Sequence, residues 1–270
     1  MKKEPLRFNK DGKFKIMLIG DLHEYYDMKS DNAAAKVDDT LNLLTKAVSE
    51  LEPDFVIYLG DNARAATESQ MRSIISRITY PVSVNEIPFD LVFGNHDREC
   101  DVPLKTQLKL YQEHDNCYAF NADDSISGCG NHNIIIKSHD GEKDMFNLWL
   151  IDSHNLYEDR SKSYYDVVHE DQLEWYKKTA KELAEKNGGK PIPSSTFRFP
   201  RNMSFSEKPS HMRDSTASRD TRPTATSIMF SSRRLKATSA RLLLFRISTA
   251  ASLPHGKRQV TFLEHSLATI

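Results

Sequence analysis

The chain has 270 residues, of which 39% are apolar, 37 are basic and 38 are acidic, so its formal net charge is −1. No apolar run reaches the roughly 18–20 residues of a membrane-spanning helix, and the charged N-terminus lacks the apolar stretch of a secretory signal, so we expect a cytoplasmic protein without a membrane partner. The three cysteines (Cys100, Cys117 and Cys129) show no Cys-x-x-Cys spacing and are expected to be free thiols.

The composition changes abruptly after Pro193. Residues 1–193 carry 24 basic and 34 acidic side chains, a net charge of −10, whereas residues 194–270 carry 13 basic and 4 acidic ones, a net charge of +9. All ten tyrosines and both tryptophans precede the break, and the segment after it is rich in Ser, Thr and Arg. We therefore divide the chain into a domain at 1–193 and a basic tail at 194–270.

Strands and helices are expected to alternate along the first of these segments. Short apolar runs predict strands at 14–19, 54–59, 89–93, 133–137 and 146–151. Apolar residues at helical spacing predict helices at 37–51, 67–78 and 171–186. Thr67 is the expected N-cap of the second helix, the last two of these strands should form a hairpin, and Pro193 should lead into a further strand. This alternation indicates a layered α/β fold.

Polar side chains follow three of the predicted strands. The sets are Gly20-Asp21-Leu22-His23, Gly60-Asp61-Asn62 and Gly94-Asn95-His96-Asp97, about 40 and then about 35 residues apart. Sites in open α/β sheets form outside the carboxyl ends of strands, so these loops should converge if the strands are neighbours. Carboxylate, imidazole and amide donors suit Zn, Mn or Fe better than Ca. The glycine before each set lets the backbone turn sharply and lets a ligand come close.

This series of motifs resembles the opening signature of the calcineurin-like metallophosphoesterases, which include the purple acid phosphatases. Segments 8–17 and 169–176 are similar to purple-acid-phosphatase-like proteins of plants, fungi and bacteria, and the resemblance runs from about Leu6 to Pro193. It implies an α/β sandwich of two β-sheets flanked by helices, with its C-terminal part missing or scrambled in this chain. It also implies a phosphatase-type hydrolase that cleaves a small phosphate-ester substrate with a hydroxide activated by two metal ions.

The resemblance assigns the metal ligands residue by residue. Asp21 and His23 would bind the first ion, Asp61 would bridge both ions, and Asn95 would bind the second through its amide oxygen. The ions would be Mn, Zn or Fe, either both divalent or of mixed valence. Purple members of the family have a Tyr ligand to iron three residues after the bridging Asp. Arg64 occupies that position here, so no purple chromophore is expected.

Four further residues are candidates for catalysis and substrate binding. By the same resemblance, His96 would act as general acid or as donor to the phosphoryl oxygens, and Asp97 would orient its imidazole. Arg64 follows the second motif closely enough to contact a phosphate, although a solvated loop arginine is the ordinary alternative. His154 follows another predicted strand and either lines the pocket or makes ordinary loop hydrogen bonds. The sequence leaves the substrate class, the metal and the oligomeric state open.

The later ligands of the family are missing from this chain. The family has a strand that ends in His-Ile-Pro and then a Gly-His-x-His set, and neither follows Pro193. The chain as it stands therefore has four expected ligands and lacks three imidazoles. This leaves a second hypothesis, a catalytically dead fragment or scaffold, and we expect weak or absent activity from the chain as written.

A shift of reading frame accounts for both the composition break and the missing ligands. Read from the third base of each codon, degenerate codons for residues 193–204 permit FFHIPLPEEYV, and those for 257–270 permit AAGDVLGAFFGHD. We therefore interpret residues 194–270 as a frameshift product, disordered or poorly folded. Restoring the frame is expected to recover metal binding. The rival interpretation, a basic arm that binds nucleic acid, is disfavoured because the tail lacks interleaved aromatic residues and any nucleic-acid motif.

Overall fold

The computed structural model describes residues 3–26, 33–156, 165–198, 241–248 and 260–263. The strands are β1 (Leu6–Arg7), β2 (Lys13–Gly20), β3 (Glu24–Tyr25), β4 (Phe55–Tyr58), β5 (Ala63–Arg64), β6 (Phe89–Leu91), β7 (His132–Lys137), β8 (Asp144–Leu150), β9 (Ser194–Phe197), β10 (Arg241–Ser248) and β11 (Val260–Leu263). The α-helices are α1 (Ala33–Leu51), α2 (Glu68–Ser83), α3 (Leu104–Gln112) and α4 (Glu170–Lys186), and a short 3₁₀ turn spans His96–Arg98. The expected α/β architecture of two main sheets flanked by helices is confirmed.

A five-stranded sheet carries the three motif-bearing strands as neighbours. Its order is β11-β10-β2-β4-β6, with β2, β4 and β6 parallel and with β10 antiparallel to β2. Both faces of β2 are buried, because Ile16 and Leu18 point into one apolar cluster while Met17 and Ile19 point into another. The carboxyl ends of β2, β4 and β6 therefore lie at one edge of the sheet, as the sequence predicts.

The second main sheet packs against the first through an apolar layer. Its order is β1-β7-β8-β9, and β7 and β8 form the predicted antiparallel hairpin. Phe14 and Phe55 of the first sheet share one buried cluster with Leu148 and Phe197 of the second. This shared cluster makes the two sheets a face-to-face sandwich.

Helices cover the outer faces of both sheets. Buried side chains of α1, α2 and α3 join the apolar cluster on the far face of the five-stranded sheet. On the second sheet, the Trp149 ring of β8 lies 5.5 Å from that of Trp175 and 4.5 Å from that of Tyr176, both on α4. In the described residues no helix has the length and apolar character needed to cross a membrane.

Helix α2 begins as the sequence predicts but ends later. The Gln70 N–H donates to Thr67 Oγ1 and Gln70 Oε1 accepts from the Thr67 N–H, which closes a capping box at the expected N-cap. The helix continues through Pro81 to Ser83 instead of ending at residue 78. Beyond this end, Asn85 Nδ2 donates to the Pro81 carbonyl at 2.7 Å.

A strand follows Pro193, as the sequence predicts. Strand β9 starts at the next residue and pairs in parallel with β8, and its Phe197 side chain is only 1% exposed. Strands β10 and β11 also fall within the predicted tail, and the remainder of 194–270 after Arg198 lies outside the described residues. The frameshift origin of this segment stays a prediction. The three cysteines are free, as expected.

Candidate metal centre

Hydrogen bonds connect the loops that follow β2, β4 and β6. The Asp21 N–H donates to the Gly60 carbonyl at 3.2 Å, and the His23 N–H donates to the Asp61 carbonyl at 2.8 Å. The His96 N–H donates to Asp61 Oδ1 at 2.9 Å. The three motifs therefore form one structural unit at the edge of the sheet.

Three candidate ligands in these loops have a left-handed backbone conformation. Asp21, His23 and Asp61 have φ angles of 56°, 49° and 54°. Non-glycine residues in this region cost on the order of 1–3 kcal/mol each and persist where the surroundings enforce them. The sharp turn after each strand directs the three side chains toward one point.

Two glycines make room for this approach. Gly60 has φ +96°, and a Cβ there would lie 2.3 Å from the Gly94 nitrogen. A Cβ on Gly94 would lie 2.1 Å from Asp61 Oδ1. Both positions therefore require the absence of a side chain, as the sequence argument about close approach anticipates.

Asp21, His23 and Asp61 form a three-donor cluster with the chemistry of a metal site. One ligand atom from each lies within 4.8 Å of the others, and His23 Nε2 is 3.9 Å from both Asp21 Oδ1 and Asp61 Oδ2. Asp61 is buried, while Asp21 and His23 are about one-fifth exposed at 17% and 25%. Two carboxylates and one imidazole at these separations fit a divalent transition-metal ion that enters from solvent.

The pKa of Asp61 shows how strongly a bound cation would act on this site. Burial, together with the neighbouring Asp97 carboxyl group, raises the pKa of Asp61 to about 7. A cation held by the three donors would favour the ionised carboxylate and reverse this shift.

The structure places Asn95 beside this cluster. Asn95 is buried and directly precedes the 3₁₀ turn whose first N–H binds Asp61. Its role as ligand to a second ion stays a prediction.

The His96 ring packs edge-on against His23, with ring centroids 5.3 Å apart. Its Nδ1 lies 2.7 Å from Glu99 Oε2, one 3₁₀ turn further along the chain. Burial alone would lower the pKa of His96, but the hydrogen bond to Glu99 and the charge of Asp61 outweigh it, and the net shift is upward. The residue that orients this imidazole is therefore Glu99.

In the structure the Asp97 carboxyl group has hydrogen-bond partners other than the predicted His96 imidazole. The Asp97 carboxyl group is buried and accepts the backbone N–H groups of Asp61, Asn62, Ala63 and Gly94 at 2.8–3.3 Å. It therefore joins the second and third motif loops. The sequence held a signal for the correct partner, because Glu99 stands three residues after His96, the spacing that a 3₁₀ turn brings together.

Arg64 and His154 have different surroundings. Arg64 is exposed on β5 and lines a small cleft with His23, Asp61 and His96. A phosphate contact by Arg64 stays a prediction. His154 does not line that cleft, and its Nε2 instead lies 2.9 Å from Gln172 Oε1 of α4. His154 therefore contacts α4 outside that cleft.

Comparison with known proteins identifies relatives of this fold. The family described as "Calcineurin-like phosphoesterase" matches residues 14–219. "Probable inactive purple acid phosphatase 14" of Arabidopsis thaliana is 29% identical over 210 residues, which cover 71% of this chain and 52% of the relative. "Phosphatase DCR2" of Saccharomyces cerevisiae is 28% identical over 186 residues, which cover 61% of this chain and 31% of that protein.

A solved structure of a dimetal phosphatase from Danio rerio is also similar, with 14% identity, coverage of 68% of this chain and 69% of that one, and a TM-score of 0.44. The chain spans about half the length of the Arabidopsis relatives that it matches. Because the family match covers 14–219, more than half of the sequence, this chain belongs to the calcineurin-like phosphoesterase family.

Proposed function

We propose that the protein is a metal-dependent phosphoesterase that hydrolyses a phosphate ester at the edge of the five-stranded sheet. The observation that carries this proposal is the three-donor cluster of Asp21, His23 and Asp61, with ligand atoms within 4.8 Å. Membership of the calcineurin-like phosphoesterase family supports the same reaction class.

The residues of the cluster have distinct roles in this proposal. Asp21 and His23 would hold one ion and Asp61 would bridge to a second, with Asn95 as the further ligand. When bound, two such ions neutralise phosphate charge and lower the pKa of a coordinated water. Asp97 has a structural role. Its carboxylate accepts four backbone N–H hydrogen bonds, which hold the loops that carry Asp61 and Asn95 together.

His96 is the candidate donor to the phosphoryl or leaving oxygen. Its side chain is 47% exposed and stands against the ring of His23, so it faces both the metal ligands and incoming substrate. Glu99 holds its Nδ1, which leaves Nε2 as the atom that donates. Arg64, which lines the same cleft, would pair with a phosphate oxygen.

The second candidate function is a catalytically dead member of the family. One observation favours it, since three Arabidopsis relatives carry names that begin "Probable inactive purple acid phosphatase". In this alternative the cluster would still hold the loops together without turnover.

Hydrolysis of chromogenic phosphate esters distinguishes an active phosphoesterase from a catalytically dead member of the family. The full chain and its frame-restored form are assayed with p-nitrophenyl phosphate and bis(p-nitrophenyl) phosphate in Mn²⁺, Zn²⁺ or Fe²⁺. We expect turnover, strongest in the restored form, to be lost in Asp61→Asn and retained in Asp39→Asn, which alters an exposed carboxylate of α1. Bound metal without turnover in either form would contradict the proposal and favour the dead member.

A further inference from the structure

A second group of metal-binding side chains lies outside the phosphoesterase site. His154, Asp166 and His169 each place a ligand atom within 4.8 Å of the others. His169 Nε2 is 3.1 Å from both Asp166 carboxylate oxygens, and the rings of His154 and His169 are stacked with centroids 4.0 Å apart. This second cluster shares no residue with the three-donor cluster at the sheet edge.

Three elements of the fold bring the second cluster together. His154 follows β8 with a left-handed φ of 63°, and its N–H donates to Asp152 Oδ1 at 2.8 Å. The Asp166 N–H donates to the Asn155 carbonyl at 3.1 Å, so the chain segments on either side of 157–164 run together. His169 stands directly before α4. The convergence is therefore part of the folded framework.

Gln172 fixes which nitrogen of His154 is available to a ligand. Gln172 is fully buried, and its Nε2 donates to Asn131 Oδ1 at 2.8 Å and to the Asp152 carbonyl at 2.7 Å. Its Oε1 must therefore face His154 Nε2, which requires a proton on that nitrogen. The neutral ring then carries its lone pair on Nδ1. Metal-binding histidines are oriented in this way by an acceptor on the other nitrogen.

We propose that His154, Asp166 and His169 bind one divalent transition-metal ion, with zinc as the expected occupant. Two imidazole nitrogens and one carboxylate oxygen suit zinc, whereas Mg²⁺ and Ca²⁺ prefer oxygen ligands throughout. The ion would take the place of the hydrogen bond between His169 Nε2 and the Asp166 carboxylate. Bound there, it would connect the loop after β8 to the start of α4.

The test measures zinc bound by the metal-stripped full chain in equilibrium dialysis. Three variants are compared with the parent: His154→Ala, His169→Ala and the control His139→Ala, which alters an exposed histidine in the hairpin turn. We expect the first two to bind one zinc equivalent fewer than the parent and the control to match it. Equal zinc binding by the parent and His169→Ala would overturn the proposal and leave a stacked histidine pair that serves packing alone.

A conservative variant tests the same site if an alanine variant does not fold. Asp166→Asn preserves side-chain volume, and zinc is expected to raise the thermal midpoint of the parent and of His139→Ala by more than that of Asp166→Asn, which keeps only the Asp21, His23 and Asp61 cluster. An equal zinc-induced rise in Asp166→Asn would count against the site. Asp61→Asn removes a ligand of the other cluster and is expected to retain the zinc equivalent bound by His154, Asp166 and His169. The zinc proposal can therefore be tested even if the phosphoesterase proposal fails.

Discussion

At the scale of single residues, the candidate metal centre depends on strained backbone conformations and on two glycines. Asp21, His23 and Asp61 are left-handed, and Gly60 and Gly94 leave the space into which their loops turn. Each deviation costs free energy by itself, and the hydrogen bonds among the loops offset it. The site is therefore sensitive to very small additions of volume.

Gly94→Ala tests this sensitivity. The added Cβ would lie 2.1 Å from Asp61 Oδ1 and 2.5 Å from the Asp61 nitrogen, so the bridging carboxylate must move. We expect the affinity for Mn²⁺ to fall at least about tenfold, the scale of displaced outer-shell partners. Gly20→Ala is the matched control, since its Cβ meets only Leu59 Cβ at 3.4 Å. Equal Mn²⁺ affinities for the two variants, measured by titration calorimetry, would refute this view of the loops.

The candidate ligands were predictable from the sequence, but their supporting contacts were not. Glycine followed by Asp, Asn or His after an apolar run marks a strand end, so Asp21, His23 and Asp61 could be identified without coordinates. The partners of Asp97 could not, because four backbone N–H groups from two distant loops leave no pattern in the chain. His154 likewise depends on Gln172, 18 residues away in sequence and placed by tertiary packing.

At the scale of elements, the buried strands and helix α4 follow their sequence patterns closely. Strands β2, β4 and β8 and helix α4 lie within two residues of the predicted ranges, because a buried strand carries a short apolar run and an amphipathic helix repeats its apolar residues with period 3.6. Helix α3 had no prediction, since nine residues with mixed polarity give a weak pattern. Ends such as that of α2 depend on side-chain acceptors and donors beyond the helix, which periodicity does not reveal.

One ion pair joins the third motif to the second sheet. Arg98, in the 3₁₀ turn after Asn95, pairs with the buried Asp152 carboxylate that follows β8. Asp152→Asn leaves Arg98 without its charge partner, and we expect the free energy of unfolding to fall by about 3 kcal/mol. The comparison is Asp144→Asn, which breaks the partly exposed pair with Lys137 and should cost less than about 1 kcal/mol. Unfolding free energies are measured in urea. Equal losses for Asp152→Asn and Asp144→Asn would contradict a stabilising role for the buried Arg98–Asp152 pair.

The junction between α2 and the end of α3 should be sensitive to acid. Burial lowers the pKa of His114, whose Nε2 lies 3.3 Å from Thr79 Oγ1. A folded-state pKa below the unfolded value of about 6.5 means that its stabilisation is complete above that pH and is lost as the pH falls toward the folded value. His114→Gln is therefore expected to lose less unfolding free energy than the parent between about pH 7.5 and about pH 5. Urea unfolding at both pH values is the measurement, with His139→Gln as control, and parallel losses in parent and His114→Gln would count against it.

At the scale of the whole molecule, the near-zero net charge is the sum of two unlike parts. Residues 1–193 carry −10 and residues 194–270 carry +9. The candidate metal centre lies entirely in the acidic part, whereas the family supplies further imidazole ligands from later in the chain. Strand β9 follows Pro193 directly and pairs with β8 of the second sheet.

Restoring the reading frame after Pro193 tests the hypothesis about the tail. The restored chain is expected to bind Mn²⁺ more tightly than the chain as written, because it regains imidazole ligands, and to be more soluble. Titration calorimetry and sedimentation of both chains measure these properties. Unchanged metal affinity in the restored chain would show that the tail is not a displaced part of the site.

The central claim is that Asp21, His23 and Asp61 together hold a catalytic metal ion, and Mn²⁺ binding by equilibrium dialysis tests it most directly. Asp61→Asn removes one negative charge from the cluster with little change in volume, and Asp39→Asn does the same on the exposed face of α1. We predict that the Mn²⁺ affinity of Asp61→Asn falls by about 10–100-fold while Asp39→Asn matches the parent. Equal affinity in all three proteins would contradict the account.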